Sequence, residues 1–125
     1  MTALRSVDAA EDTREFERVC RADEVAHLML RAAVLQDGTR VCVGNRDGAF
    51  FAMIDRCPHQ QFPLSDGELL ADGSVVCARH GAAYCSSTGL SVRGPKGEAP
   101  CGRMTLCQVR VTDGDVFVRA PLPRF

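Results

Sequence analysis

The chain has 125 residues, a length typical of one domain with a modest core. Its 15 basic and 16 acidic residues give a net charge of −1, which excludes the basic excess expected of a nucleic-acid-binding protein. Its longest apolar stretches are far shorter than the roughly 20 residues of a membrane span, so the composition favours a small soluble protein.

The N-terminal stretch, residues 1–15, is polar and acidic and lacks the apolar segment of a secretory signal. It is predicted to be a disordered lead-in to a domain over residues 16–120, with a tail over 121–125. The chain has seven cysteines, an odd number that full disulfide pairing cannot use. Without a signal, the reducing cytoplasm is the expected compartment, where a Cys and His cluster is better explained by metal than by disulfides.

Short β-like runs follow one another along the chain. The segment 24–35 also has helical propensity, but we predict a turn over 22–25 followed by a strand. Asp-Gly pairs, which favour tight hairpin turns, begin at residues 37, 47, 66, 72 and 113. The other apolar or alternating runs cover residues 16–21, 39–44, 49–55, 75–78, 106–112 and 115–120. This spacing of strands and turns predicts an all-β fold.

Two short motifs carry the residues with the clearest chemistry. One is Cys57-Pro58-His59, and the other, seventeen residues further on, is Cys77-Ala78-Arg79-His80. Each offers one thiolate and one imidazole from the end of a predicted strand. Zinc fingers usually pair Cys with Cys and His with His along the chain. The Cys-His order used twice instead favours a [2Fe–2S] cluster with both cysteines on one iron and both histidines on the other, although zinc and a chance grouping stay open.

Residues 57–81 (CPHQQFPLSDGELLADGSVVCARHG) resemble the Rieske family signature. Residues 16–25 and 84–101 extend the likeness to the Rieske ferredoxins of bacterial aromatic-ring-hydroxylating dioxygenase systems, of the biphenyl and toluene type. The resemblance implies a Rieske fold of three small antiparallel sheets, with two loops forming a cluster-binding tip. It also implies that the cluster ligands are Cys57, His59, Cys77 and His80.

Two other Rieske classes fit the sequence less well. High-potential Rieske proteins of respiratory complexes have an extra, disulfide-forming cysteine in each ligand loop, where this chain has Gln61 and Arg79. They also resemble one another in having a serine and a tyrosine after the second histidine, at positions that here are Ala82 and Tyr84. A terminal oxygenase needs a further mononuclear iron site, and the chain has one other histidine, His27.

The resemblance implies a monomeric one-electron carrier without catalytic activity of its own. It would accept electrons from an NAD(P)H-dependent flavoprotein ferredoxin reductase and pass them to a terminal Rieske oxygenase. Two alternatives are a small Rieske subunit of a larger reductase, such as assimilatory nitrite reductase, and a structural zinc module.

Several residues near the motifs have an ordinary interpretation beside a functional one. The basic residues Arg56, Arg79, Arg93 and Lys96 are either ordinary surface charge or a rim that docks acidic patches on redox partners. The thiols of Cys85 and Cys101 are predicted to be unpaired, and His27 is predicted to be a packed or half-exposed side chain.

Overall fold

The computed structural model describes residues 15–58 and 62–121. Within them the chain forms ten strands and three short 3-10 turns, and no helix that is long and apolar enough to cross a membrane. The strands are β1 Glu17–Arg21, β2 Met29–Val34, β3 Arg40–Arg46, β4 Ala49–Ile54, β5 Glu68–Leu69, β6 Ser74–Val76, β7 Ala83–Cys85, β8 Ser91–Arg93, β9 Leu106–Thr112 and β10 Asp115–Arg119. The 3-10 turns are Ala22–Glu24, Leu64–Asp66 and Pro95–Gly97.

All strand pairings are antiparallel. Six strands form one sheet in the order β1-β10-β9-β4-β3-β2, and four form a second in the order β5-β6-β7-β8. The six-stranded sheet is joined at its middle only by the pairs Ala52–Cys107 and Met53–Leu106, so it divides into two three-stranded halves. With the four-stranded sheet, these halves make three small antiparallel units, and the predicted all-β Rieske fold is confirmed.

Four of the five predicted Asp-Gly turns join neighbouring strands. At Asp47-Gly48 and Asp113-Gly114 both residues have positive φ, as a two-residue hairpin of type I′ requires. The prediction for Asp66-Gly67 is wrong, because Gly67 has φ −90° and ends a 3-10 turn just before β5. An added Cβ at Gly67 would lie 1.9 Å from the carbonyl oxygen of Val76, so the close approach of two chain segments explains this glycine.

The segment with helical propensity forms the predicted turn and strand. A 3-10 turn covers Ala22–Glu24, and β2 pairs along its whole length with β3. Leu28 has φ 65° and donates its amide hydrogen to the carbonyl of Asn45, which starts that pairing. Tertiary strand pairing therefore overrides local propensity here.

Strand β3 separates two apolar cores, because it is buried on both faces. Val41 and Val43 point into the core between the halves of the six-stranded sheet. Cys42 points into a second core that also contains Cys57 and Cys77, together with Leu69, Val75 and Tyr84 from the four-stranded sheet. Cys42 has 0% exposure, and Cys20 has 2%. The second of these cores carries the two motif cysteines.

Candidate metal centre

Three loops lie together at one end of the four-stranded sheet. The first loop follows β4 and is described at residues 55–58 and 62–63; the second, residues 77–82, joins β6 to β7; the third, residues 94–98, follows β8. The first two each carry one of the motifs. His59 lies outside the residues that the structure describes.

The structure brings Cys57 and Cys77 together. They are 2% and 3% exposed and belong to one apolar cluster. They are close enough that Cys57 raises the pKa of the Cys77 thiol. The Cys57 amide donates to the carbonyl of Phe62 at 2.9 Å, and the Cys77 amide donates to that of Ala82 at 2.8 Å. Each thiol therefore has a fixed position at the start of a closed loop.

Peptide groups around Cys77 favour its thiolate form. Burial raises the pKa of this thiol above its ordinary value, and the neighbouring Cys57 raises it further. The backbone N–H groups of Arg79 and His80 oppose both effects by hydrogen bonding to the sulfur. A buried sulfur with two peptide donors is suited to a thiolate whose charge a metal compensates.

Tyr84 lies beneath the pair of thiols. It is 0% exposed, and its hydroxyl oxygen lies 3.5 Å from Cys57 Sγ. Burial raises the pKa of this phenol, followed by its hydrogen bond to Cys57, so the hydroxyl keeps its proton. A protonated phenol beside a thiolate sulfur can donate to it.

His80 is a half-buried residue in the middle of the second loop, and the third loop contacts its backbone. The amide of Lys96 donates to the carbonyl oxygen of His80 at 2.7 Å. The Nε of Arg93 donates to the carbonyl of Gly81 at 3.0 Å. The third loop thus fixes the second loop through its backbone carbonyls. These contacts do not involve the imidazole of His80.

An arginine links the first two loops at the surface. The guanidinium of Arg79 stacks over the ring of Phe62 at 4.3 Å from its centroid. Both residues are exposed, with Phe62 at 36%. This cation–π contact gives Arg79 a structural role that is separate from docking.

Asp55 is a residue of this region that sequence reasoning missed. Its carboxylate is fully buried and accepts hydrogen bonds from the amide and the hydroxyl of Ser65, both at 2.7 Å. Arg40 approaches it at 3.6 Å. These contacts join the start of the first loop to Ser65, two residues past its end. An acidic residue directly after the apolar strand β4 was the signal, since a carboxylate is buried only when it is bonded.

The remaining candidate residues have structural surroundings. His27 Nδ1 accepts the amide hydrogen of Asp47 at 2.8 Å, which is an exposed turn contact. None of the seven cysteines, all of which lie in residues that the structure describes, is joined in a disulfide, Cys85 and Cys101 included. Cys85 Sγ lies 3.2 Å from the hydroxyl of Ser87.

The donor set fits an iron–sulfur centre. A dry pair of thiols, with peptide and phenol donors aimed at sulfur, suits cysteinate ligands better than a hydrolytic metal site, which keeps an open, wet position. A histidine nearer the surface follows three residues after the second thiol. Together, the all-β fold and this buried pair of thiols fit a small domain that carries an iron–sulfur cluster.

The comparisons with known proteins identify the family. Residues 15–114 match the family model described as the Rieske [2Fe-2S] domain. The chain is 36% identical over 104 residues to the biphenyl dioxygenase ferredoxin subunit of Pseudomonas sp. strain KKS102, which covers 82% of this chain and 90% of that protein. It is 33% identical over 81 residues to the 3-phenylpropionate/cinnamic acid dioxygenase ferredoxin subunit of Escherichia coli K12, with 65% and 73% covered.

Solved structures of ferredoxins share the fold of this chain. A ferredoxin of Sphingomonas yanoikuyae B1 superimposes with a TM-score of 0.75 at 24% identity and covers 86% of this chain and 100% of its own. A chain from the complex of reduced oxygenase and oxidised ferredoxin in carbazole 1,9a-dioxygenase gives 0.73 at 26% identity, with 86% and 97% covered.

The chain belongs to the Rieske [2Fe–2S] family, and within it to the ferredoxin subunits of dioxygenase systems. It therefore carries a Rieske-type [2Fe–2S] cluster and works as an electron carrier of a multicomponent oxidoreductase system, without substrate chemistry of its own.

Proposed function

We propose that Cys57, His59, Cys77 and His80 hold the cluster, and that the chain passes single electrons from an NAD(P)H-dependent flavoprotein reductase to the Rieske centre of a terminal aromatic-ring oxygenase. The observation that carries the proposal is the buried pair of thiols, Cys57 and Cys77, with peptide and phenol donors around it. The assignment of the oxygenase partner draws on the relatives, which are named as ferredoxin subunits of dioxygenases.

The residues around the centre have separate tasks in this proposal. When bound, the cluster stores one electron, and two thiolates with two neutral imidazoles leave the oxidised site uncharged. The apolar core keeps water from the sulfurs, and the N–H groups of Arg79 and His80 stabilise negative charge there. The half-buried His80 lies nearer the surface than either cysteine, so the electron would leave through the histidine side.

We also propose a cytoplasmic monomer whose Rieske domain covers residues 16–120. Electron-transfer complexes are small and short-lived, which suits a free carrier better than a permanent subunit. Size-exclusion chromatography of the purified holoprotein would elute it at the 13.5 kDa of one chain. Elution at the mass of a dimer, or a stable complex with a large catalytic chain, would contradict this part of the proposal.

The ligand assignment is tested by single substitutions with matched controls. Purified protein should contain two irons and two acid-labile sulfides per chain, as the [2Fe–2S] formula requires, and show the low average g-value of mixed Cys and His ligation after reduction. Substituting alanine for His59 or His80, or serine for Cys57 or Cys77, should abolish that signal.

The chain supplies its own controls for this test. His27→Ala removes the one other histidine, and Cys101→Ser removes an exposed thiol. Both variants should keep the full iron content and an unchanged spectrum. Zinc in place of iron, or an unchanged Rieske signal in His80→Ala, would overturn the assignment.

A further inference from the structure

Lys96 is the only lysine in the chain, and all the other basic residues are arginines. It is exposed and lies in the third loop. Its amide donates to the carbonyl oxygen of His80 at 2.7 Å, so its backbone is fixed against the residue through which the electron would leave.

The backbone of Lys96 adopts a conformation that its side chain does not favour. Lys96 and Gly97 have φ values of 58° and 81°, nearly those of Asp47-Gly48 (56° and 89°) and Asp113-Gly114 (53° and 80°). Asp tolerates the left-handed region because its short polar side chain bonds locally, whereas a lysine gains nothing there. The turn alone therefore does not explain why this position carries a lysine, and such strained positions cluster at functional sites.

The third loop holds Lys96 in a defined place. Gly94 donates its amide hydrogen to the carbonyl of Glu98 at 2.8 Å, and Glu98 donates to that of Pro95 at 3.1 Å. An added Cβ at Gly94 would lie 2.4 Å from the carbonyl oxygen of Ala99, so the loop is closely packed at its base. A rigid loop presents a charge at lower entropic cost than a mobile one.

The other cations at this end already have structural contacts. Arg79 stacks on Phe62, and the Nε of Arg93 bonds the carbonyl of Gly81. Across residues 15–58 and 62–121, no carboxylate forms an ion pair with Lys96. In that part of the chain Lys96, whose backbone is held against His80, therefore presents an exposed ammonium without an ion pair.

We propose that Lys96 is a docking contact, and that its ammonium binds carboxylates on the surface of the terminal oxygenase beside the point where the electron leaves. The inference rests on the proposed function, since it takes His80 as a cluster ligand and the oxygenase as the acceptor. Electrostatic complementarity of this kind speeds encounter and fixes orientation more than it adds affinity.

Small oxidants of opposite charge test the local field without a partner protein. Reduced holoprotein would be mixed with ferricyanide, an anion, and with tris(phenanthroline)cobalt(III), a cation, each of which takes one electron from the cluster. In Lys96→Gly the ferricyanide rate should fall about threefold and the cobalt rate should hold or rise. The ratio of the two rates cancels any shift in the protein's own potential. Lys96→Arg should behave as the wild type.

Stability measurements separate docking from a structural role. Lys96→Gly relieves the left-handed strain, so its urea midpoint should hold or rise while electron transfer slows. Asp113→Gly makes the same backbone change in the β9–β10 hairpin and should leave the ratio of rates unchanged. Arg110→Gln removes one positive charge from strand β9 and should also leave that ratio nearly unchanged.

The final experiment uses a purified terminal oxygenase of a biphenyl dioxygenase system as the electron acceptor. The rate of electron transfer to it would be measured by stopped flow at several salt concentrations. Lys96→Gly should slow the transfer and flatten its salt dependence. Wild-type rates in Lys96→Gly, with either ferricyanide or the oxygenase, would overturn the inference while leaving the proposed function intact. A wild-type protein that forms no cluster, or never reduces the oxygenase, would instead overturn the proposed function.

Discussion

In the six-stranded sheet, hairpins such as β3–β4 and β9–β10 close through two-residue Asp-Gly turns, and backbone ladders and apolar packing fix the rest. The loops at the end of the four-stranded sheet have almost no ladder. Individual contacts hold them instead: Asp55 with Ser65, Arg93 with the Gly81 carbonyl, and the Lys96 amide with the His80 carbonyl. The six-stranded sheet should tolerate single substitutions because many equivalent backbone hydrogen bonds stabilise it. In the loops, loss of one contact leaves nothing equivalent to replace it.

The largest difference in stability is expected between two glycine substitutions, one just before β5 of the four-stranded sheet and one in a hairpin of the six-stranded sheet. In Gly67→Ala the new methyl group would meet the Val76 carbonyl at 1.9 Å, so two backbone segments must separate. We expect a loss of roughly 3 kcal/mol in the free energy of unfolding, at the upper end of overpacking effects. Gly48→Ala, in the β3–β4 hairpin, meets nothing within 4 Å and carries only the left-handed penalty of about 1–2 kcal/mol. Urea denaturation of both holoproteins compares them, and equal losses would contradict the distinction.

Two carboxylates, one in each region, provide a second comparison of stability. Asp55→Ala removes a buried acceptor and leaves the amide and hydroxyl of Ser65 without their partner, so we expect a loss of about 2–3 kcal/mol. Asp115→Ala removes a carboxylate that pairs with Arg18 at 2.9 Å on the surface of the six-stranded sheet, where exposed ion pairs contribute about 0.2–1 kcal/mol. Asp55→Ala should also release iron faster to a chelator. Equal iron release in the two variants would mean that Asp55 does not hold the first loop.

The sequence was informative about these two regions to different degrees. The hairpins of the six-stranded sheet follow from alternation and Asp-Gly pairs, which are local signals. Strands β5, β7 and β8 have two or three residues each and were not predicted, because so short a run has no measurable period. Cys57 and Cys77 were recognised from their motifs, but the role of Asp55 and the contact of the third loop with His80 were not, since these contacts join residues that are distant in the chain.

The thiols of the two regions should also react differently. In the six-stranded sheet, burial raises the pKa of Cys107 to about 11. At the end of β7, hydrogen bonds from the side chains of Ser87 and then Thr88 lower the pKa of Cys85 to about 7. Because the thiolate is the nucleophile and forms as pH rises, alkylation of Cys85 by iodoacetamide should reach half its maximal rate near pH 7.

Peptide mass spectrometry after brief alkylation of the holoprotein at several pH values would measure this. Cys107 should remain unmodified up to pH 9. In Ser87→Ala the midpoint for Cys85 should move to higher pH, because the first of the lowering contacts is lost. A midpoint for Cys85 near the ordinary thiol value of about 8.5 in the wild type would show that these hydroxyls do not stabilise the thiolate.

The smallest expected effect is a shift in the reduction potential when the hydroxyl of Tyr84 is removed. It lies 3.5 Å from Cys57 Sγ in a fully buried position, where it can donate to a cysteinate sulfur. A donor to sulfur stabilises the reduced cluster more than the oxidised one, because the reduced cluster carries one more negative charge. Tyr84→Phe should therefore lower the reduction potential in film voltammetry. About 1 kcal/mol of lost hydrogen bonding corresponds to roughly 40 mV for one electron.

Ala82→Ser should shift the reduction potential in the opposite direction. Ala82 is 1% exposed and belongs to the same apolar cluster as Cys57 and Cys77, so we expect a hydroxyl added there to reach one of these sulfurs. If that hydroxyl donates to sulfur, the potential should rise by a similar amount, and the double variant with Tyr84→Phe should return close to the wild-type value. The spectrum of the reduced protein should be unchanged in all three variants, since no ligand is altered. A potential that is unmoved in Tyr84→Phe while the urea midpoint falls would show that the phenol supports packing and does not bond the cluster's sulfur.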